Sequence, residues 1–172
     1  MIVGPGIQPQ GAVVGEWIAF TPTGSWSTNT TYTGYYRRVG SNVELDIKVA
    51  TSGAPTSATL TVNMPSGMTV NTAVLTDSSA FSSNFGQVTL HDVDATDYAG
   101  VVTYSSTSAI KPVAVGSDIT QVAPFTFASG DWVSFRAVVP VSEFFGSGTV
   151  NLAQNDQQFL GNSDTSTTTS NT

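Results

Sequence analysis

The chain has 172 residues, with 12 acidic and 5 basic side chains, a net charge of -7 and no cysteine. That length allows one ordinary domain with its own core and excludes two large ones. The charge disfavours a nucleic-acid backbone or an anionic membrane surface as partner, and the lack of cysteine excludes disulfides and thiolate metal sites.

Residues 1–14, rich in Gly, Pro and Gln, read as a connector or as the cut end of something longer. They hold no basic-then-apolar leader, and no stretch reaches the roughly 18 apolar residues of a membrane span, so no membrane insertion is expected. Trp17 to Phe20 is the first short strand. Thr21 to Thr33 lacks alternation and reads as a long surface loop. Tyr35-Tyr36-Arg37-Arg38-Val39, the turn Gly40-Ser41-Asn42 and Val43-Glu44-Leu45-Asp46-Ile47-Lys48-Val49 form a hairpin. In its second arm apolar residues alternate with Glu44, Asp46 and Lys48, so one face is core and the other wet. In its first arm Tyr35 and Tyr36 take opposite faces, as do Arg37 and Arg38. An outward arginine there finds Glu44 or Asp46 across the hairpin, and an inward one needs carboxylate or carbonyl partners.

Thr59 to Met64 alternates in the same way until Pro65-Ser66-Gly67 ends it. Gln87 to Leu90 and Gly100 to Tyr104 are strands flanking an acidic loop, His91 to Asp97. Ile110 to Val115 is weakened by Pro112, Ile119 to Phe127 holds a further strand at an edge or bulge marked by Pro124, and Asp131 to Pro140 is the last. There Val133, Phe135, Ala137 and Val139 share a face, opposite Trp132, Ser134, Arg136 and Val138. From residue 147 a polar extension begins, whose last residues have no apolar side chain and are expected to be disordered. About eight antiparallel strands over residues 15–146 fit an all-β fold, an antiparallel β-sandwich of the jelly-roll kind. Its core should include Leu45, Ile47, Leu60, Val62, Val133, Phe135 and Val139.

Catalytic patterns are scarce. His91 is the single histidine, which excludes two-histidine zinc motifs, and neither a phosphate-binding loop nor a Gly-x-Ser-x-Gly elbow occurs. A carboxylate pair acting on a glycan needs only two acids at a suitable separation, so a glycan hydrolase stays as a remote alternative. Asp92, Asp94 and Asp97 beside His91 offer oxygen ligands for calcium, but the spacing lacks the Gly and distal Glu of an EF-hand, and turn formation explains the aspartates. No metal and no cofactor is expected. Sugar sites stack an aromatic ring on a pyranose and add a few polar groups. On that ground Trp26, Asn29 and Tyr32 in the loop before the hairpin are the candidate ligand-binding residues, with His91, Asp92 and Asp94 as a second contribution. Trp26 is either such a platform or a plug closing the end of the fold.

Four stretches together suggest a family. They are Glu16-Trp17-Ile18-Ala19-Phe20-Thr21-Pro22, Thr31 to Ile47, Leu60-Thr61-Val62-Asn63-Met64-Pro65-Ser66-Gly67-Met68 and Ser129 to Val141. The pattern resembles the C-terminal β-rich tip domains of bacteriophage tail fibres and of fibrous bacterial surface adhesins, and it departs after Val141, where Ser142-Glu143-Phe144-Phe145-Gly146 stands in place of a Gly-Trp ending. The resemblance implies a homotrimeric, extracellular cell-surface or virion tail fibre. Its tip would bind a cell-surface carbohydrate or envelope component without turning it over, three weak sites gaining avidity on one rigid head. A purely structural fibre or capsid decoration domain is the alternative.

Overall fold

The computed structural model describes residues 14–79, 83–93, 95–114 and 116–145. The connector up to residue 13, Asp94 and the polar extension from residue 147 lie outside them. Among the described residues nine strands form one antiparallel sheet: β1 (Ile18–Phe20), β2 (Thr30–Val39), β3 (Asn42–Ser52), β4 (Val62–Asn63), β5 (Gly86–His91), β6 (Asp97–Ser106), β7 (Ala109–Ala114), β8 (Ser117–Asp118) and β9 (Ser129–Pro140). Their order is β1-β2-β3-β9-β5-β6-β7-β4, with β8 beside β7. The all-β, antiparallel expectation holds. All strands belong to one hydrogen-bonded sheet, so the finer jelly-roll expectation finds no support in the pairing.

The sheet closes on itself. Residues 23–25, just beyond β1, pair with β4 through Asn63 N–H to Thr23 O (2.8 Å), Ser25 N–H to Thr61 O (3.1 Å) and the Gly24–Val62 bridge. A side chain at Gly24 would put its Cβ 2.2 Å from Thr61 O, so only glycine allows this seam. Curvature has the same origin elsewhere. One inward row runs Phe20, Gly34, Ile47, Phe135, Val88, Gly100 and Ala114 across seven strands. A Cβ at Gly100 would sit 1.9 Å from Val113 O, and one at Gly86 2.0 Å from Arg136 O. Glycines at inward positions let the backbone bend sharply enough to enclose the core.

All seven core residues read from the alternation are buried, together with Val43, Val49, Val88, Leu90, Val102 and Ile110, in one cluster. Each such side chain contributes roughly 1.5 to 3 kcal/mol by leaving water. The hairpin turns at Gly40 and Ser41, and Gly40 has φ 62°, the left-handed region a glycine-first two-residue loop requires. Tyr35 is exposed while Tyr36 packs on the core, as alternation demands. Outward Arg37 meets Glu44 at 2.6 Å, and Arg38 donates to Gly40 O at 2.8 Å and lies over the Phe144 ring. Pro112 falls where β7 has no second neighbour, between Ile110, paired to β4, and Val113, paired to β8. No ladder donor is missed there.

Three local expectations need correction. The loop read over residues 21–33 ends early, because Thr30–Thr33 join β2 and pair with Lys48–Thr51. Threonine is β-branched and suits a strand even without apolar alternation. The strand read over 59–64 pairs only at Val62 and Asn63 within the sheet, although Leu60 and Met64 are buried as the alternation implies. No strand spans 119–127. There Phe127 N–H bonds back to Gln121 O (2.9 Å), and Ile119 and Phe127 enter the interior and plug one end. No helix among the described residues is long and apolar enough to cross a membrane.

Candidate functional site

The inward residues of β3, β9 and β5 make the core, so their alternates form one outward face. Register sets its rows: Tyr35, Asp46, Arg136 and Gln87; then Thr33, Lys48, Ser134 and Thr89; then Thr31, Ala50, Trp132, His91 and Asp97. Along β9 the large side chains Trp132 and Arg136 stand on either side of Ser134, roughly 13 Å apart at a strand's rise per residue. Short Ser134 and Thr89 form the floor between them. The resulting trough of about 280 Å³ is lined by Asp46, Gln87, Thr89, Trp132, Ser134 and Arg136, together with Phe135, whose side chain is buried. That is just below the usual range of small-molecule pocket volumes.

Its side chains are held in place. Arg136 donates from Nη2 to Asp46 Oδ2 at 2.8 Å, and its Nε lies 3.8 Å from Glu44 Oε1. The hydrogen bond to Asp46, followed by that carboxylate's charge, raises the guanidinium above its ordinary pKa. Glu44 also takes Arg37 Nε at 2.6 Å, and the Trp17 ring lies against both guanidinium groups at 4.6 and 5.4 Å. At the other end Trp132 stacks on His91 with centroids 5.0 Å apart and planes at 21°. His91 in turn donates from Nδ1 to Asp97 Oδ1 at 2.7 Å. From the β3 side Lys48 Nζ approaches the Trp132 ring to 5.1 Å. Beneath this end buried Asp131 accepts from Val93 N–H (3.0 Å) and Ala128 N–H (2.7 Å), tying the acidic loop to the start of β9.

The site expected before the hairpin is overturned in its main element. Trp26 is 1% exposed, donates from Nε1 to Ala58 O at 2.9 Å and meets Phe127 edge-on at 5.0 Å. Of its two readings the plug is correct, since a ring with no free face cannot stack on a sugar. Tyr32 is also turned to the core side: its hydroxyl donates to Trp26 O at 2.9 Å, and burial pushes its pKa up to about 12. Asn29 is exposed, with φ 51°, and donates to Ala54 O at 3.0 Å. The two aromatics that flank it in sequence, Trp26 and Tyr32, both point inward and give it no platform. His91 does reach an aromatic platform, but the platform is Trp132. Asp92 is half-buried beside it, and Asp94 lies outside the described residues. Among the described residues no group of three metal-ligating side chains gathers.

Sequence reasoning missed Trp132, Lys48, Arg136, Asp46, Gln87, Thr89 and Ser134 as a unit. A signal was present, since outward positions of β9 carry Trp, Ser and Arg where a merely wet face needs no large aromatic. The neighbours across the sheet were invisible without the strand order. Comparison with protein-family models found no match, and comparisons with curated proteins and with solved structures found no significant one.

Proposed function

We propose that the domain is a non-catalytic receptor-binding module that attaches a fibre to a cell-surface carbohydrate or envelope component, with the outward trough of β3, β9 and β5 as its binding site. One observation carries this reading: an indole and five polar side chains converge on a shallow, open depression floored by hydroxyls. Sugar rings offer an apolar face and a rim of hydroxyls. Trp132 supplies the apolar surface, Asp46 accepts, Arg136 donates, and Gln87, Ser134 and Thr89 do both. The lining sits on paired strands rather than loops, so little order is lost on binding. Glu44 and Asp46 are both engaged by arginines, which favours recognition over acid–base work.

Glycan screening of the purified chain beside Trp132→Ala tests this reading. Wild type should bind at least one glycan class, and the variant should lose more than about tenfold in affinity, the worth of one well-placed stacking contact. A wild type that binds no glycan contradicts the proposal.

The alternative of a structural domain whose partners are its own copies has one specific support. Val74, Leu75, Phe85 and Pro140 line a second depression together with Thr76, Ser83 and Asn84, and Val74 in it and Val138 outside it are 48% and 44% exposed. The fibre proposal also includes homotrimers, in which such apolar surface would be covered. Light scattering should then report three times the 17.9 kDa of one chain, and a stable monomer at micromolar concentration would contradict that part.

A further inference from the structure

One basic side chain beside the trough is placed differently from the arginine within it. The chain has five basic residues. Arg37 and Arg136 are paired with Glu44 and Asp46, Lys111 Nζ lies 2.7 Å from Asp118, and Arg38 donates to the carbonyls of Gly40 and Phe144. Lys48 makes no ion pair among the described residues. Its exposed ammonium rests instead against the Trp132 ring, and its strand position is directly opposite Ser134 on the trough floor. In a chain of net charge -7, Lys48 thus places an exposed ammonium at the edge of the aromatic platform.

Resting on the carbohydrate reading above, we infer that the trough selects acidic sugars, and that Lys48 is its specificity determinant, pairing with the carboxylate of a uronate- or sialate-type unit whose ring lies against Trp132. An exposed cation–π contact is weak and a lysine stem is flexible. Lys48 can therefore leave the indole when a sugar ring takes its place, and its ammonium gains a carboxylate in exchange. Arg136 keeps donors for the sugar hydroxyls, but its charge is already compensated by Asp46 and Glu44. Asp46 and Glu44 are paired with arginines and Asp97 with His91, which lessens their repulsion of an incoming anion.

The test uses the whole chain and acidic glycosides (glucuronides, galacturonides and N-acetylneuraminides), each paired with its own methyl ester, which removes the charge and keeps the stereochemistry. Binding is followed by the indole N–H signal of Trp132. At least one acid should bind about tenfold or more tightly than its ester, the value of a hydrogen bond to a charged group. That preference should shrink as salt is raised and should vanish in Lys48→Met with the unfolding midpoint unchanged. Acid and ester binding alike, or an acid preference that survives Lys48→Met, overturns the inference and leaves the carbohydrate reading standing. Neutral glycans bound with every acid excluded overturns it in the same way. Absence of binding to any acidic or neutral glycan overturns both.

Discussion

Replacing Trp26 by Ala separates a plug from a platform. The ring is 1% exposed, makes an edge-on contact with Phe127 and satisfies Ala58 O through Nε1. Truncating a buried Trp or Phe to Ala typically loses 3 to 5 kcal/mol, about, through transfer and cavity terms. The Ala58 carbonyl left behind adds about 1 kcal/mol if the collapsed end excludes water. Against a total stability of roughly 5 to 15 kcal/mol, the variant should lose about a quarter or more of its folding free energy. Urea unfolding should show this as a large fall in midpoint, and thermal unfolding as a drop of roughly 10 °C or more. Trp26→Phe keeps most of the ring and loses the hydrogen bond, so it should fall between the two. Glycan binding by whatever fraction of Trp26→Ala remains folded should match wild type. An unchanged midpoint together with abolished binding would refute the plug and restore the loop before the hairpin as the site.

Other consequences follow from the same geometry. Gly100→Ala should destabilise by at least 1 to 3 kcal/mol, about, because its Cβ would be 1.9 Å from Val113 O and backbone must move; urea midpoints check it, and a neutral result would mean that the sheet is not bent there. Tyr32 has its pKa raised to about 12 by burial, so the unfolded chain ionises first as pH rises. Stability should therefore be fully present below about pH 10 and decline between about pH 10 and 12, and Tyr32→Phe should flatten that decline in alkaline denaturation curves. Glu143 accepts from Thr69 N–H (2.9 Å) and Oγ1 (2.7 Å), and the backbone bond is the first cause holding its carboxyl below the usual range. A lowered folded pKa means that this clasp is present at neutral pH and is released as pH falls through it, so the protection factor of the Thr69 amide, corrected for the intrinsic slowing of exchange in acid, should fall with pH for wild type and not for Glu143→Gln.

The parts of the fold legible in the sequence are those in which one local period decides the outcome. Val43 to Val49 alternates strictly with charged residues, and the inward and outward faces of β3 follow directly. The last strand was equally clear from Val133, Phe135, Ala137 and Val139. What could not be read depends on contacts between distant segments. Nothing in Thr23-Gly24-Ser25 announces that it closes the sheet against β4, because the reason is close backbone approach rather than an apolar pattern. Ile119, Phe125 and Phe127 resemble a strand by composition and instead fill an end of the interior. The candidate site suffered from the same limit. Trp26 sits among Ser, Thr and Asn and looks exposed in sequence, yet Ala58 and Phe127, far along the chain, enclose it. Alternation along β9 puts Trp132 on the outward face, but the trough needs Asp46 from β3 and Gln87 and Thr89 from β5, which only the strand order brings beside it.

Ligand is expected to meet the outward face of β3, β9 and β5. Backbone and side-chain shifts of the isotopically labelled chain, recorded while a glycan selected by screening is titrated in, locate the contact. Changes should saturate together at Asp46, Lys48, Gln87, Thr89, Trp132, Ser134 and Arg136, with the Trp26 indole signal still. Shifts centred on Asn29 and the residues before the hairpin, with the Trp132 indole unmoved, would contradict it.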